Sequence, residues 1–125
     1  MARILVADDE DDVRPLLRTI QTRAGYEMVE ASDGCSAYKM ATEEKPDVVI
    51  LDLHMPGMNG LEVLKRLKQN EVTKSIPVLM VTGRWLTKYE IESIRSGATD
   101  YIVKPLLPAD VRARVRLALS HSESG

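Results

Sequence analysis

Five side chains in this sequence are of the types that do chemistry together: Asp8, Asp9, Asp52, Thr82 and Lys104. Each follows a short apolar run. Asp8 and Asp9 open the acidic string Asp8-Asp9-Glu10-Asp11-Asp12 after Ile4-Leu5-Val6-Ala7, and Asp52 ends Val48-Val49-Ile50-Leu51. Thr82 follows Val78-Leu79-Met80-Val81, and Lys104 follows Tyr101-Ile102-Val103. Gathered in one place they make three carboxylates, one hydroxyl and one ammonium. Three carboxylates within a few ångströms repel one another, and one is expected to hold a proton unless a cation sits among them. Oxygen-only ligands on a half-open rim suit Mg²⁺, which favours carboxylates plus a phosphate and keeps several waters; Mn²⁺ is an expected substitute. A carboxylate beside such a metal can attack phosphorus. The metal and the ammonium then offset the charge of the transferred group, and the Thr82 hydroxyl can donate to one of its oxygens. Plainer readings stand beside this one. Acidic residues after a strand often just complement a helix dipole, which is the reading for Asp11 and Asp12. Taken singly, Asp52 is a helix cap and Lys104 a surface lysine.

The elements needed to gather these groups are legible as an alternation. The strands are Arg3–Ala7, Glu27–Ala31, Asp47–Leu51, Ile76–Val81 and Tyr101–Val103. The third is apolar throughout, as a central parallel strand is. Between them apolar residues recur at helical steps of three and four: Val13, Leu16, Leu17, Ile20 and Ala24, stopped by Gly25; then Ser36 to Glu43; then Leu61, Leu64 and Leu67. A fourth helix runs from Leu86 to Arg95 and ends at Gly97, and a last one carries Val111, Val115 and Leu119. Pro15 falls in a first turn, where a missing N–H costs little, and Pro77 belongs at a strand edge or start. Five strands, each followed by a helix, predict an α/β layer structure with a parallel sheet. Such sheets bind ligands beyond the carboxyl ends of their strands, where all five side chains fall. Residues 1–120 form the predicted domain and 121–125 a polar, frayed tail.

Composition narrows the function. The chain has 125 residues, 17 Lys+Arg and 19 Asp+Glu, a net charge of −2. One core of this size needs no disulfide or metal to fold, and the single Cys35 permits no internal disulfide. A near-neutral balance argues against a nucleic-acid-binding surface. No apolar run approaches the roughly 18 residues of a membrane span, and the start turns acidic too early for a signal peptide. The expected location is the cytoplasm.

With these residues in order, the sequence resembles the receiver domain of two-component response regulators, the CheY-like family. The resemblance runs from Ile4 to about Leu119. It is carried by ILVADDE, VVILDLHMPGMNGLEVLKRLK, VLMVTG and GATDYIVKPL, with the spacings Asp52 to Thr82 and Thr82 to Lys104 as in the family. It implies the doubly wound, flavodoxin-like (βα)5 form of the sheet, order 2-1-3-4-5, with helices on both faces. It also implies that Asp52 is the phosphoacceptor, taking a phosphoryl group from a histidine kinase or phosphotransfer protein in a Mg²⁺-dependent phosphorelay step. By the same resemblance Asp9, Asp52 and the His54 backbone carbonyl are direct Mg²⁺ ligands, and Asp8 holds the metal through water. Lys104 contacts Asp52 and then the phosphoryl group. Thr82 and Tyr101 form a switch pair that moves inward together, and Lys104–Pro105 is a cis peptide. His54, Gly83 and Arg84 are the positions that tune acyl-phosphate lifetime, Gly83 by leaving room for phosphate to enter. Such a domain is a signalling module with self-catalysed phosphorylation and dephosphorylation, not an enzyme acting on an outside substrate.

Other residues have two readings. Trp85, the single tryptophan, is either a partner anchor or packing under its loop. Cys35 reads as a small helix residue, and Met55 and Met58 as packing. Arg112, Arg114 and Arg116 resemble the basic pattern of receivers that dimerise ahead of DNA-binding domains, or they complement the helix dipole. No effector domain is expected within this chain; its downstream reader is a separate protein or a fused domain. Three other functions remain in view. One is an interaction module independent of phosphorylation. Another is a haloacid-dehalogenase-like phosphatase, whose pattern places a second acid where His54 stands. The third is a flavodoxin-like FMN carrier, whose phosphate the DDEDD string would repel.

Overall fold

The computed structural model describes residues 1–124. Its elements alternate without interruption: β1 (Arg3–Ala7), α1 (Val13–Arg23), β2 (Glu27–Ala31), α2 (Gly34–Glu44), β3 (Val48–Asp52), α3 (Gly60–Gln69), β4 (Val78–Thr82), α4 (Lys88–Gly97), β5 (Asp100–Val103) and α5 (Pro108–Ser124). The five strands form one parallel sheet, as the alternation predicts, in the order β2-β1-β3-β4-β5 that the family resemblance implies.

The sheet has a core on each face because side chains alternate along a strand. Leu5, Val49, Leu51 and Met80 point to one face, against Ala37 and Ala41 of α2, Val63, Leu64 and Leu67 of α3, and Ile94 of α4. Ile4, Val6, Ile50, Leu79 and Val81 point to the other, against Leu17 and Ile20 of α1 and Val111, Val115 and Ala118 of α5. Most of these side chains are wholly buried, and each large one contributes about 1.5–3 kcal/mol. β3 and β4 are buried at every position. That rigidity fixes the places of Asp52 and Thr82 at their carboxyl ends.

Capping decides the boundaries that periodicity leaves open. The Asp33 carboxylate accepts the Ser36 N–H at 2.8 Å and starts α2 at Gly34, two residues before the first periodic position. Thr87 and Glu90 form a reciprocal capping box. It starts α4 at Lys88, so Leu86 and Trp85 stay in the preceding loop. Pro77 lies just before β4, where its missing N–H breaks no ladder. α5 continues through Ser124, across residues for which the sequence predicts only a polar tail; Gly125 lies outside the described residues.

Two glycines permit close approaches beneath the site. A Cβ on Gly60 would overlap the Asp52 carbonyl and the Leu53 Cα, and one on Gly34 would overlap the Met58 carbonyl. The start of α3 thus packs directly on the backbone that carries Asp52, and the Gly60 N–H donates to the Leu53 carbonyl at 2.9 Å.

Candidate functional site

The carboxyl edge of the sheet gathers the chemistry. Asp8 leaves β1 buried, 1% exposed; Asp52 ends β3 at 4%; Thr82 ends β4 at 1%. Lys104 follows β5 and reaches back across the edge. Its Nζ lies 3.6 Å from Asp52 Oδ1, 3.7 Å from Asp8 Oδ2 and 2.6 Å from Glu10 Oε1. Its backbone N–H donates to the Thr82 carbonyl at 2.8 Å, which ties the lysine to the end of β4. Lys104–Pro105 is cis.

The acidic loop after β1 folds on itself. The Asp8 carboxylate accepts the Glu10 N–H at 2.9 Å, a local turn typical of aspartate. Arg14 donates to the Asp8 carbonyl at 2.7 Å and to Asp11 at 2.7 Å, anchoring the loop on α1. The result sorts the five acids. Ligand oxygens of Asp8, Glu10 and Asp52 lie within 4.8 Å of one another. Asp9 is exposed and outside that trio, but its charge helps raise both Asp52 and Asp8; Asp11 and Asp12 are exposed. Glu10 is the site residue that sequence reasoning passed over. Its place follows from the turn in which Asp8 accepts the Glu10 N–H and from the reach of Lys104.

Electrostatics mark this edge as a place for a cation. Burial, then the neighbouring Asp8 charge, pushes the Asp52 carboxyl up to about 7, against partial relief from Lys104. Asp8 is also raised, first by burial. Burial pulls the Lys104 ammonium down, but its bond to Glu10 and the charges of Asp52 and Asp8 outweigh this and leave it raised. Asp8 Oδ2 is buried and accepts no hydrogen bond. A buried, unpartnered carboxylate oxygen in an all-oxygen acidic set fits a divalent ion of the Mg²⁺ kind; these residues suit the metal that the sequence implied.

Around this centre the other expected residues take definite places. Thr82 Oγ1 is buried and makes no hydrogen bond. Tyr101 points outward, 48% exposed, with the Arg114 guanidinium 5.9 Å from its ring centre. Between them lies a cavity of about 360 Å³ lined by Thr82, Gly83, Leu86, Ile94 and Tyr101 among others. Gly83 and Arg84 are exposed at its mouth, and a Cβ on Gly83 would meet nothing. The His54 ring is in solvent, with Nε2 3.8 Å from Glu90. Trp85 is 93% exposed, so it does not pack under its loop. Met55 is buried in the core and Met58 packs against it. Cys35 is exposed on α2. Arg114 is held within the molecule by Asp100 at 2.8 Å and Asp110 at 2.9 Å.

The response regulator receiver domain family matches residues 4–116. This chain belongs to that family. The receiver is 36% identical over 122 residues to the phosphate regulon transcriptional regulatory protein PhoB of Pseudomonas aeruginosa, covering 98% of this chain and 53% of PhoB. It is 40% identical over 121 residues to the alkaline phosphatase synthesis transcriptional regulatory protein PhoP of Bacillus subtilis, covering 97% of this chain and 50% of PhoP. It therefore spans about half the length of these curated relatives. Among solved structures, the chemotaxis protein CheY4 of Vibrio cholerae superposes with a TM-score of 0.86 at 30% identity, over 94% of this chain and 98% of that one. A CheY-like receiver domain protein of Methanospirillum hungatei superposes with a TM-score of 0.90 at 26% identity, over 99% and 98%. Membership makes this a signalling domain of two-component systems rather than an enzyme for an outside substrate, and it implies a histidine kinase as partner. Among the described residues, no helix is long and apolar enough to cross a membrane.

Proposed function

We propose that this receiver takes a phosphoryl group from the phosphohistidine of a histidine kinase or phosphotransfer protein onto Asp52, in the cytoplasm. The observation that carries this reading is the Asp52 carboxylate itself. It is buried at the end of a rigid central strand, with Lys104 3.6 Å away and an oxygen-only acidic group beside it. An Asp52 oxygen attacks phosphorus in line. A new P–O bond forms as the P–N bond to the donor imidazole breaks, and the leaving nitrogen keeps the electron pair. Hydrolysis by water later returns the carboxylate and releases inorganic phosphate.

The phosphoryl group adds roughly −1.5 to −2 charge at Asp52. Beside Asp8 and Glu10 that charge needs compensation. Lys104 supplies one positive charge, and the unpartnered Thr82 hydroxyl supplies a hydrogen-bond donor. Mg²⁺, when bound, offsets the rest by drawing charge from the phosphoryl oxygens. Asp52 and the acidic loop, with the His54 backbone carbonyl, would hold it. By resemblance, Asp9 is a direct ligand and Asp8 acts through water. By the same resemblance, the positions His54, Gly83 and Arg84 tune how long the acyl phosphate lasts, Gly83 by leaving room for phosphate to enter.

The phosphoryl group then biases a two-state element. Thr82 moves toward it, and Tyr101 turns from solvent into the cavity behind Thr82. The surface of α4, β5 and α5 changes shape, and a downstream partner, a fused effector or a second copy of the chain reads it. That surface carries the exposed apolar groups Tyr89, Ile91, Tyr101, Val103 and Leu107, with Trp85 just ahead of α4.

The test is transfer itself. Purified protein is incubated with a phosphorylated histidine kinase core, with and without Mg²⁺. Label should move to this chain only with Mg²⁺, in a form that hydroxylamine removes. Transfer that ignores Mg²⁺, or label stable to hydroxylamine, contradicts the reading.

A further inference from the structure

We propose that Glu10 is a positioning residue that holds Lys104 back from Asp52 before phosphorylation, and so restrains the transfer. The inference rests on the phosphoacceptor reading above. Three carboxylates compete for one ammonium. Lys104 Nζ makes its short contact with Glu10, 2.6 Å, and stands 3.6 Å from Asp52 and 3.7 Å from Asp8. Only the first is a hydrogen bond, and a charge-assisted one of that length is the strong kind. Placement of the three acids explains why Glu10 is the partner that yields. Asp8 and Asp52 are buried at the strand ends, while the Glu10 side chain is 47% exposed. Its carboxylate regains water when it lets go, whereas theirs cannot.

The arrangement is a latch. With Glu10 attached, the ammonium that must meet the incoming phosphoryl group is engaged elsewhere. Once phosphorus is bonded to Asp52, its oxygens carry more charge than Glu10 and draw the lysine across. Glu10 then turns to solvent. Its contribution to the rate passes wholly through Lys104, which separates this role from that of a metal ligand or a simple repulsive charge.

The experiment compares wild type, Glu10→Gln, Lys104→Ala and the double variant. Each is labelled by acetyl phosphate at saturating Mg²⁺, and Mg²⁺ affinity is measured separately by calorimetry. The expected result is a several-fold faster labelling of Glu10→Gln over wild type, and no difference between Lys104→Ala and the double variant. The same acceleration with and without the lysine overturns the proposal, as does labelling of Glu10→Gln no faster than that of wild type. A second readout needs no phosphorylation. In unphosphorylated wild type the two Lys104 ε-methylene protons should be inequivalent by NMR, because the ammonium is held. In Glu10→Gln they should average. Averaged resonances in wild type overturn the latch. If wild type takes no label at all while the methylene result holds, the phosphoacceptor reading fails and the ion pair stands.

Discussion

A carboxyl raised to about 7 makes Asp52 the most pH-sensitive group in the site. Its folded value lies above its ordinary one of 3.8, so the fold favours the neutral acid. The associated stability is full below about pH 4 and is lost as pH rises through about 7. Metal-free protein should therefore melt lower at pH 8 than at pH 5, and calorimetry across that range checks it. Asp52→Asn removes the buried charge while keeping the shape. It should flatten this pH dependence and stabilise the metal-free protein at pH 8 by about 2 kcal/mol. Mg²⁺ binds the ionised carboxylates, so its stabilising effect should be larger at pH 8 than at pH 6. At this scale Asp8, Asp52, Thr82 and Lys104 were legible from the sequence, since each is the polar residue at the end of an apolar strand. Glu10 was not. Its place depends on the turn that Asp8 makes and on the reach of Lys104 from the far side of the sheet, and neither is a property of a strand pattern.

The elements hold these residues through a few close contacts. Gly60 lets α3 rest on the Asp52 backbone, and a methyl group there meets carbonyl and Cα atoms that have no room to move. Gly60→Ala should cost about 1–3 kcal/mol and slow phosphorylation with it; denaturant unfolding and a labelling time course measure both. Thr87 caps α4 in a reciprocal box with Glu90. Thr87→Ala should cost about 1 kcal/mol, felt first as faster amide exchange in the first turn of α4. Element type followed from the alternation of apolar runs and helical periodicity, which report what is buried, and strand order from the resemblance to the receiver family. Helix starts did not follow as closely. α2 begins at the Asp33 cap and α4 at the Thr87 box, and hydrogen-bonding side chains leave no mark on a hydrophobic pattern. The late end of α5 is of the same kind, because polar residues such as Ser120 carry no periodic signal to extend.

At the scale of the whole molecule, the proposed function couples an acidic pocket at one edge of the sheet to a surface one strand away. In that proposal the coupling runs through the end of β4. Thr82 lies inside, Tyr101 outside, and a cavity between them is large enough for a side chain to enter. Beryllofluoride with Mg²⁺ should draw Tyr101 inward. Its solvent exposure, read by nitration or by NMR, should fall in wild type and stay unchanged in Thr82→Ala. Everything in this account follows from Asp52 being the atom donor to phosphorus. The most direct measurement is to phosphorylate the protein with acetyl phosphate and Mg²⁺, reduce it with borohydride, and locate the product by peptide mass spectrometry. An aspartyl phosphate is thereby converted to homoserine, and the account predicts it at position 52 alone. Homoserine at Asp8 or Asp9, the five-carbon hydroxy amino acid that a glutamyl phosphate gives at Glu10, or no reduced residue anywhere, would contradict it.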